Sequence, residues 1–69
     1  MQTNINLANN IMRIRKESRL TQADLADFLG VRKASVSKWE TGQSYPDIEL
    51  LPKIATFFSV TVDELIGYE

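Results

Sequence analysis

The 69-residue chain contains no cysteine and no histidine. Disulfides are therefore excluded, and so are the zinc sites that those residues usually build. The same absence removes thiol nucleophiles and imidazole acid–base groups, and Asp24 with Asp27 has the spacing of an ordinary solvated helix face. An enzyme is not expected, and neither is a cofactor or metal. No run of about 18 apolar residues exists to cross a membrane, and the N-terminus lacks the basic-then-apolar layout of a signal peptide. A soluble, cytoplasmic chain with no membrane partner is expected. At this length one domain is available, and a single small core supplies only about 3–5 kcal/mol. Packing and helix caps, with oligomerisation as a further source, must hold the fold.

Charge of either sign is nearly balanced, at −1 overall. That total conceals an asymmetry along the chain. Residues 1–42 carry seven basic side chains (Arg13, Arg15, Lys16, Arg19, Arg32, Lys33, Lys38) against four acidic ones, a balance of +3. Residues 43–69 carry Lys53 against five acids, a balance of −4. A basic half suits phosphate, although two solvated surfaces would give the same count.

Glycine and proline are few, and neither falls between Val31 and Thr41. This stretch belongs to the segment around which the chain is organised, Leu20–Gly42. Thr21 can cap a helix, with Asp24 at capping-box spacing, and Leu25, Ala26 and Leu29 supply an apolar stripe. Gly30 suits the left-handed residue that ends such a helix. A second helix must then begin almost at once. At about 100° per residue from Lys33, Ala34, Ser37 and Lys38 fall on one small or basic arc with it, while Val36 and Trp39 fall on the opposite side. Two short helices across a glycine-containing turn, the second exposing basic and small residues, predict a helix-turn-helix.

The rest of the chain reads as three more helices. Asn6 can cap a first one, with Leu7, Ile11 and Ile14 as its stripe and the pattern fading near Ser18. After a turn through Gln43-Ser44-Tyr45-Pro46, Asp47 can cap a fourth, with Leu51, Ile54, Ala55 and Phe58 facing the core. Pro52 lacks an amide hydrogen, which predicts an irregular or 3₁₀ turn around 48–51 and regular helix from about 51 to 58. Thr61 and Glu64 repeat the capping-box spacing and open a brief fifth helix ending at Gly67. The boundaries are a flexible tail over 1–5, one domain over 6–67, and a C-terminal end at 68–69.

The ordered set LTQADLA, LGV, ASVSKWETG and YPDIELLPKIATFFSVTVDELIG, with the helix before it, resembles the Cro and phage-repressor type of helix-turn-helix, the XRE family. The match runs over roughly residues 6–67. It implies an all-α, compact five-helix lambda-repressor-like DNA-binding domain. It also implies a sequence-specific regulator of transcription, most simply a repressor, of bacterial or phage origin. Lys33, Ala34, Ser37 and Lys38 match base-reading positions, and each has the chemistry for it: lysine donates to guanine acceptors, the alanine methyl meets thymine methyl, and serine serves either sense. Lys33 and Lys38 are also able to bind phosphate. Gln22, at the amino end of the second helix, matches a phosphate contact. Arg32, Ser35, Gln43 and Ser44 are further candidates for the DNA backbone. Arg32 stands where the family commonly has a serine or threonine cap, so the start of the recognition helix loses that cap.

In the family, the arginine matching Arg15 typically pairs with the glutamate matching Glu40, which makes Arg15 and Glu40 the expected structural ion pair, the alternative being two independent exposed charges. Family members act as symmetric dimers on palindromic operators, so a homodimer on double-stranded DNA is expected. Phe57, Val62 and Ile66 are candidates for the dimer patch, or else complete the core. The alternative function is a protein-interaction module, such as an antitoxin-like partner, on the same fold. Family members frequently continue into a second domain beyond the point where this chain stops, which leaves a complete small regulator and an excised N-terminal domain both open.

Overall fold

The computed structural model describes residues 6–67; the expected tail over 1–5 and the end at 68–69 lie outside the described residues. Five helices follow in order: α1 Leu7–Glu17, α2 Gln22–Leu29, α3 Lys33–Glu40, α4 Leu50–Phe58 and α5 Val62–Ile66. Each contributes the apolar positions its periodicity assigns to the inside. Leu7, Ile11 and Ile14 come from α1, Leu25 and Ala26 from α2, and Val36 and Trp39 from α3. Ile54, Ala55 and Phe58 of α4 and Leu65 of α5 close the same core, with Leu29 and Leu51 half-buried against it. Among the described residues no helix is long and apolar enough to cross a membrane.

The helix limits are set by local chemistry at three points. Thr21 Oγ1 accepts the Asp24 amide at 3.0 Å while the Asp24 carboxylate accepts the Thr21 amide at 2.8 Å, so two of the free donors at the start of α2 are satisfied reciprocally. Thr61 and Glu64 do the same for α5. Gly30, at φ 72°, ends α2 in the left-handed region and lets the Val31 amide turn back to the Ala26 carbonyl at 3.0 Å. That turn brings α3 directly against α2. Replacing Thr21 by alanine is expected to lower unfolding stability in urea by about 1 kcal/mol, with serine restoring most of it. A stability equal to the parent's would mean that α2 starts without the box.

Two expected caps are absent. Asn6 makes no side-chain cap: at φ −106° and ψ 42° its backbone is not in the extended geometry that swings a cap over the first turn. Its amide instead donates to the Ile66 carbonyl at 3.0 Å, tying the start of α1 to the end of α5. Asp47 does not cap α4 either. Its carbonyl accepts the Leu50 amide at 2.8 Å and the Ile48 carbonyl accepts the Leu51 amide at 3.3 Å, which makes the expected 3₁₀-type turn. The helix starts at Leu50, one residue earlier than expected, because Pro52 then sits in the first turn, where a missing amide hydrogen loses no intrahelical bond.

Candidate nucleic-acid interface

Helix α3 has two opposite faces. Val36 is fully buried and Trp39 nearly so, fastening it to the core. Lys33, Ala34 and Lys38 are exposed, with Ser37 and Ser35 half-buried beside them. The arc expected from the helical period is therefore brought together on one accessible surface. Trp39 packs inside rather than offering a ring to a base. Among the described residues, Arg32, Lys33 and Lys38 take part in no ion pair, so their charge faces solvent unneutralised. Arg32 precedes α3 in extended geometry with no side-chain cap bond, in keeping with the lost serine or threonine.

The other end of α3 is clamped. Arg15 Nε donates to Glu40 Oε2 at 2.7 Å and a second guanidinium nitrogen donates to Glu40 Oε1 at 3.0 Å, a bidentate fork across α1 and α3. The remaining guanidinium nitrogen donates to the Leu20 carbonyl at 2.9 Å, which fixes the chain where it enters α2. Glu40 is the one buried charged residue among those described. Burial by itself pushes its carboxyl up, but hydrogen bonds from Arg15 and Gln22 and the positive charges of Arg15 and Lys16 outweigh burial, and the net result lies below the ordinary carboxylate value. The Asp24 carboxyl is also held low, by hydrogen bonds from the Thr21 backbone and hydroxyl.

Gln22 was expected at the amino end of α2, and it is there, half-buried. Its amide nitrogen donates to Glu40 Oε1 at 3.1 Å, a bond that no sequence signal identified. The carboxamide is thus oriented by the clamp with its second N–H hydrogen unused by Glu40. Beyond α3, Thr41 Oγ1 donates to the carbonyls of Ser37 and Lys38, and the Gln43 and Ser44 amides turn back to the Lys38 carbonyl at 2.9 and 3.4 Å. The Gln43 side chain donates to Thr41 Oγ1 at 3.0 Å. Those two backbone amides thus serve the end of α3, leaving side chains as the groups that can reach outward.

A helix-turn-helix family model matches residues 11–65. The chain belongs to this family. Over 59 residues it is 46% identical to the HTH-type transcriptional activator BcrR of Enterococcus faecalis, a match covering 86% of this chain and 29% of BcrR. It is 42% identical over 53 residues to the cryptic phage CTXphi transcriptional repressor RstR of Vibrio cholerae, covering 77% of this chain and 47% of RstR. The chain thus spans less than half the length of either relative. The solved P22 c2 repressor, in complex with a synthetic operator, superposes with a TM-score of 0.80 at 27% identity, covering 87% of this chain and 91% of the repressor. The fold is of that phage-repressor type, as its sequence motifs imply.

The three candidates for a dimer patch do not share one environment. Phe57 stacks on Phe28 with ring centroids 4.6 Å apart and lies 5.4 Å from the Phe58 ring, and Val62 also packs against the core. Ile66 instead lines an open groove with Leu7, Tyr45, Pro46, Ile48 and Leu51. Sequence reading missed that groove, because Tyr45 and Ile48 lie in an aperiodic loop.

Proposed function

We propose that this domain binds double-stranded DNA in a sequence-specific manner and regulates transcription, most simply as a repressor that occludes a promoter. The observation that carries the reading is the exposed basic arc of α3, without an ion-pair partner among the described residues and held by the opposite, buried face and by the Arg15–Glu40 fork. A rigid helix with donors on one side fits the major groove, where base pairs present distinct patterns of acceptors, donors and methyl groups. Lys33, Ala34, Ser37 and Lys38 read base edges. Gln22, Arg32, Ser35, Gln43 and Ser44 hold the DNA backbone. Similarity to a repressor bound to an operator supports this assignment. The domain performs no catalysis and works in the cytoplasm.

Two copies bind a palindrome, with their recognition helices about 34 Å apart and half-sites about 10 bp apart, centre to centre. Selecting sites from a random DNA pool identifies the operator, and binding to operator and random DNA across a salt series tests the reading. If each copy neutralises one phosphate through Arg32, the log–log salt slope is near −2, and affinity falls about tenfold between 50 and 200 mM salt. A slope of about −5 assigns Lys33 and Lys38 to phosphate as well. Equal binding to operator and random DNA, unaffected by Lys33→Ala and Lys38→Ala, rules the proposal out.

A further inference from the structure

The Arg15–Glu40 fork has a third member. Glu40 Oε1, which already accepts a guanidinium nitrogen at 3.0 Å, also accepts the Gln22 side-chain amide at 3.1 Å. One carboxylate at the end of α3 thus joins Arg15 of α1 to Gln22, the first residue of α2. The fork does not need Gln22, because each Glu40 oxygen has a donor from Arg15. Nor does α2, whose capping box is complete with Thr21 and Asp24. What the bond fixes is Gln22 itself.

We infer that Glu40 positions the Gln22 carboxamide for one DNA phosphate, which makes Gln22 a specificity-determining residue although it touches no base. The inference rests on the DNA-binding reading and deepens its contact with the backbone. Direction is the first argument. An ionised carboxylate accepts and cannot donate, so the carboxamide must turn its NH₂ group toward Glu40. Glu40 takes one hydrogen, and the other leaves the same nitrogen along a fixed line. The carboxylate that sets this line is 3% exposed and held from the far side by two guanidinium bonds, which also neutralise it beside an incoming phosphate.

Preorganisation is the second argument. Immobilising a free, rotamer-rich side chain on binding costs about 2–12-fold in affinity. Here folding has already ordered the glutamine.

Register is the third argument. Glu40 belongs to the helix that carries Lys33, Ala34, Ser37 and Lys38, so the donor on α2 is tied directly to the reading arc. A lysine or arginine charge attracts phosphate from many directions, whereas a single N–H bonds only an oxygen nearly in line with it. Such a donor is satisfied when α3 lies in one register in the groove, and is missed as the domain slides over random sequence. Being neutral, it displaces no counterion and takes no share in the salt slope.

A double-mutant cycle tests this, read by fluorescence anisotropy on a half-site duplex of the selected operator and on a random duplex of equal length. Circular dichroism confirms that each variant is folded. In the parent, Gln22→Ala weakens half-site binding about tenfold and random DNA less than about twofold, with the salt slope unchanged. In Arg15→Met with Glu40→Leu, where Gln22 is no longer held, the same substitution costs at most about threefold. Nitrogen-15 relaxation reads the positioning in the parent itself: the Gln22 side-chain NH₂ has an order parameter near the roughly 0.85 of rigid backbone. Equal weakening of the two duplexes by Gln22→Ala overturns the proposal, and so does an equal loss in the two backgrounds. An order parameter below about 0.6 overturns it as well, whether or not the double variant folds. A parent that binds half-site and random duplex alike overturns the DNA reading itself.

Discussion

Glu40→Ala is expected to remove about 3–5 kcal/mol of stability, as much as the whole core of so small a domain supplies. The variant should be largely unfolded without denaturant, by circular dichroism or amide exchange. The size follows from burial. The Arg15 and Glu40 side chains are 12% and 3% exposed, so alanine leaves a guanidinium facing the interior without its counter-charge and takes an acceptor from Gln22. The exposed Arg13–Glu17 pair, with side chains 55% and 64% exposed, shows the contrast: breaking it should cost no more than about 0.5 kcal/mol. Replacing both partners, as in Arg15→Met with Glu40→Leu, should restore much of the loss, because neither charge is then desolvated. A loss well below 1 kcal/mol for Glu40→Ala would mean that the fork is not a structural clamp.

The same pair sets a pH dependence. The folded-state Glu40 carboxyl lies below its unfolded value, so the unfolded chain binds the proton more readily. Its contribution is complete above the ordinary carboxylate range and is lost as pH falls through the depressed folded value. Asp24, held low by Thr21, acts in the same direction. Glu40→Gln should flatten the acid limb of the stability profile in that window and leave the neutral-to-alkaline side without a comparable change of slope.

What the sequence disclosed follows the range of the interactions. The Thr21–Asp24 and Thr61–Glu64 boxes close within one turn, and three-residue spacing suffices to find them. The two faces of α3 were equally legible, since helical period alone separates Lys33 and Lys38 from Val36 and Trp39. Asn6 and Asp47 have the right chemistry for caps, but tertiary contacts and the Pro52 turn set their backbone geometry, and residue type does not report that. The Gln22–Glu40 bond joins residues 18 apart in sequence and leaves no local pattern. Arg15 with Glu40 was identified through family resemblance, not through spacing. Tyr45 and Ile48 lie in a loop, where no period divides inside from outside: Pro46 between them is buried while both are exposed.

On a palindromic operator Lys33→Ala is expected to weaken binding by about 2–6 kcal/mol, twice the roughly 1–3 kcal/mol of a single base-reading contact, because both half-sites lose it. Random DNA should lose far less, so specificity falls together with affinity. Lys38→Ala should behave alike at a different base pair, since Lys38 stands on the same exposed arc more than one turn from Lys33. Arg32→Ala is the informative contrast. Its side chain leaves the backbone before the first turn of α3, and the proposed function assigns it to phosphate, so its loss should weaken operator and random DNA nearly equally and make the salt slope shallower by about one per copy. A Lys33→Ala variant that follows the Arg32 pattern, with uniform weakening and a shallower slope, would move Lys33 from base to phosphate. Sequence reading would then fall to Ala34, Ser37 and Lys38, and the operator position opposite Lys33 would tolerate any base pair in a selection from random DNA.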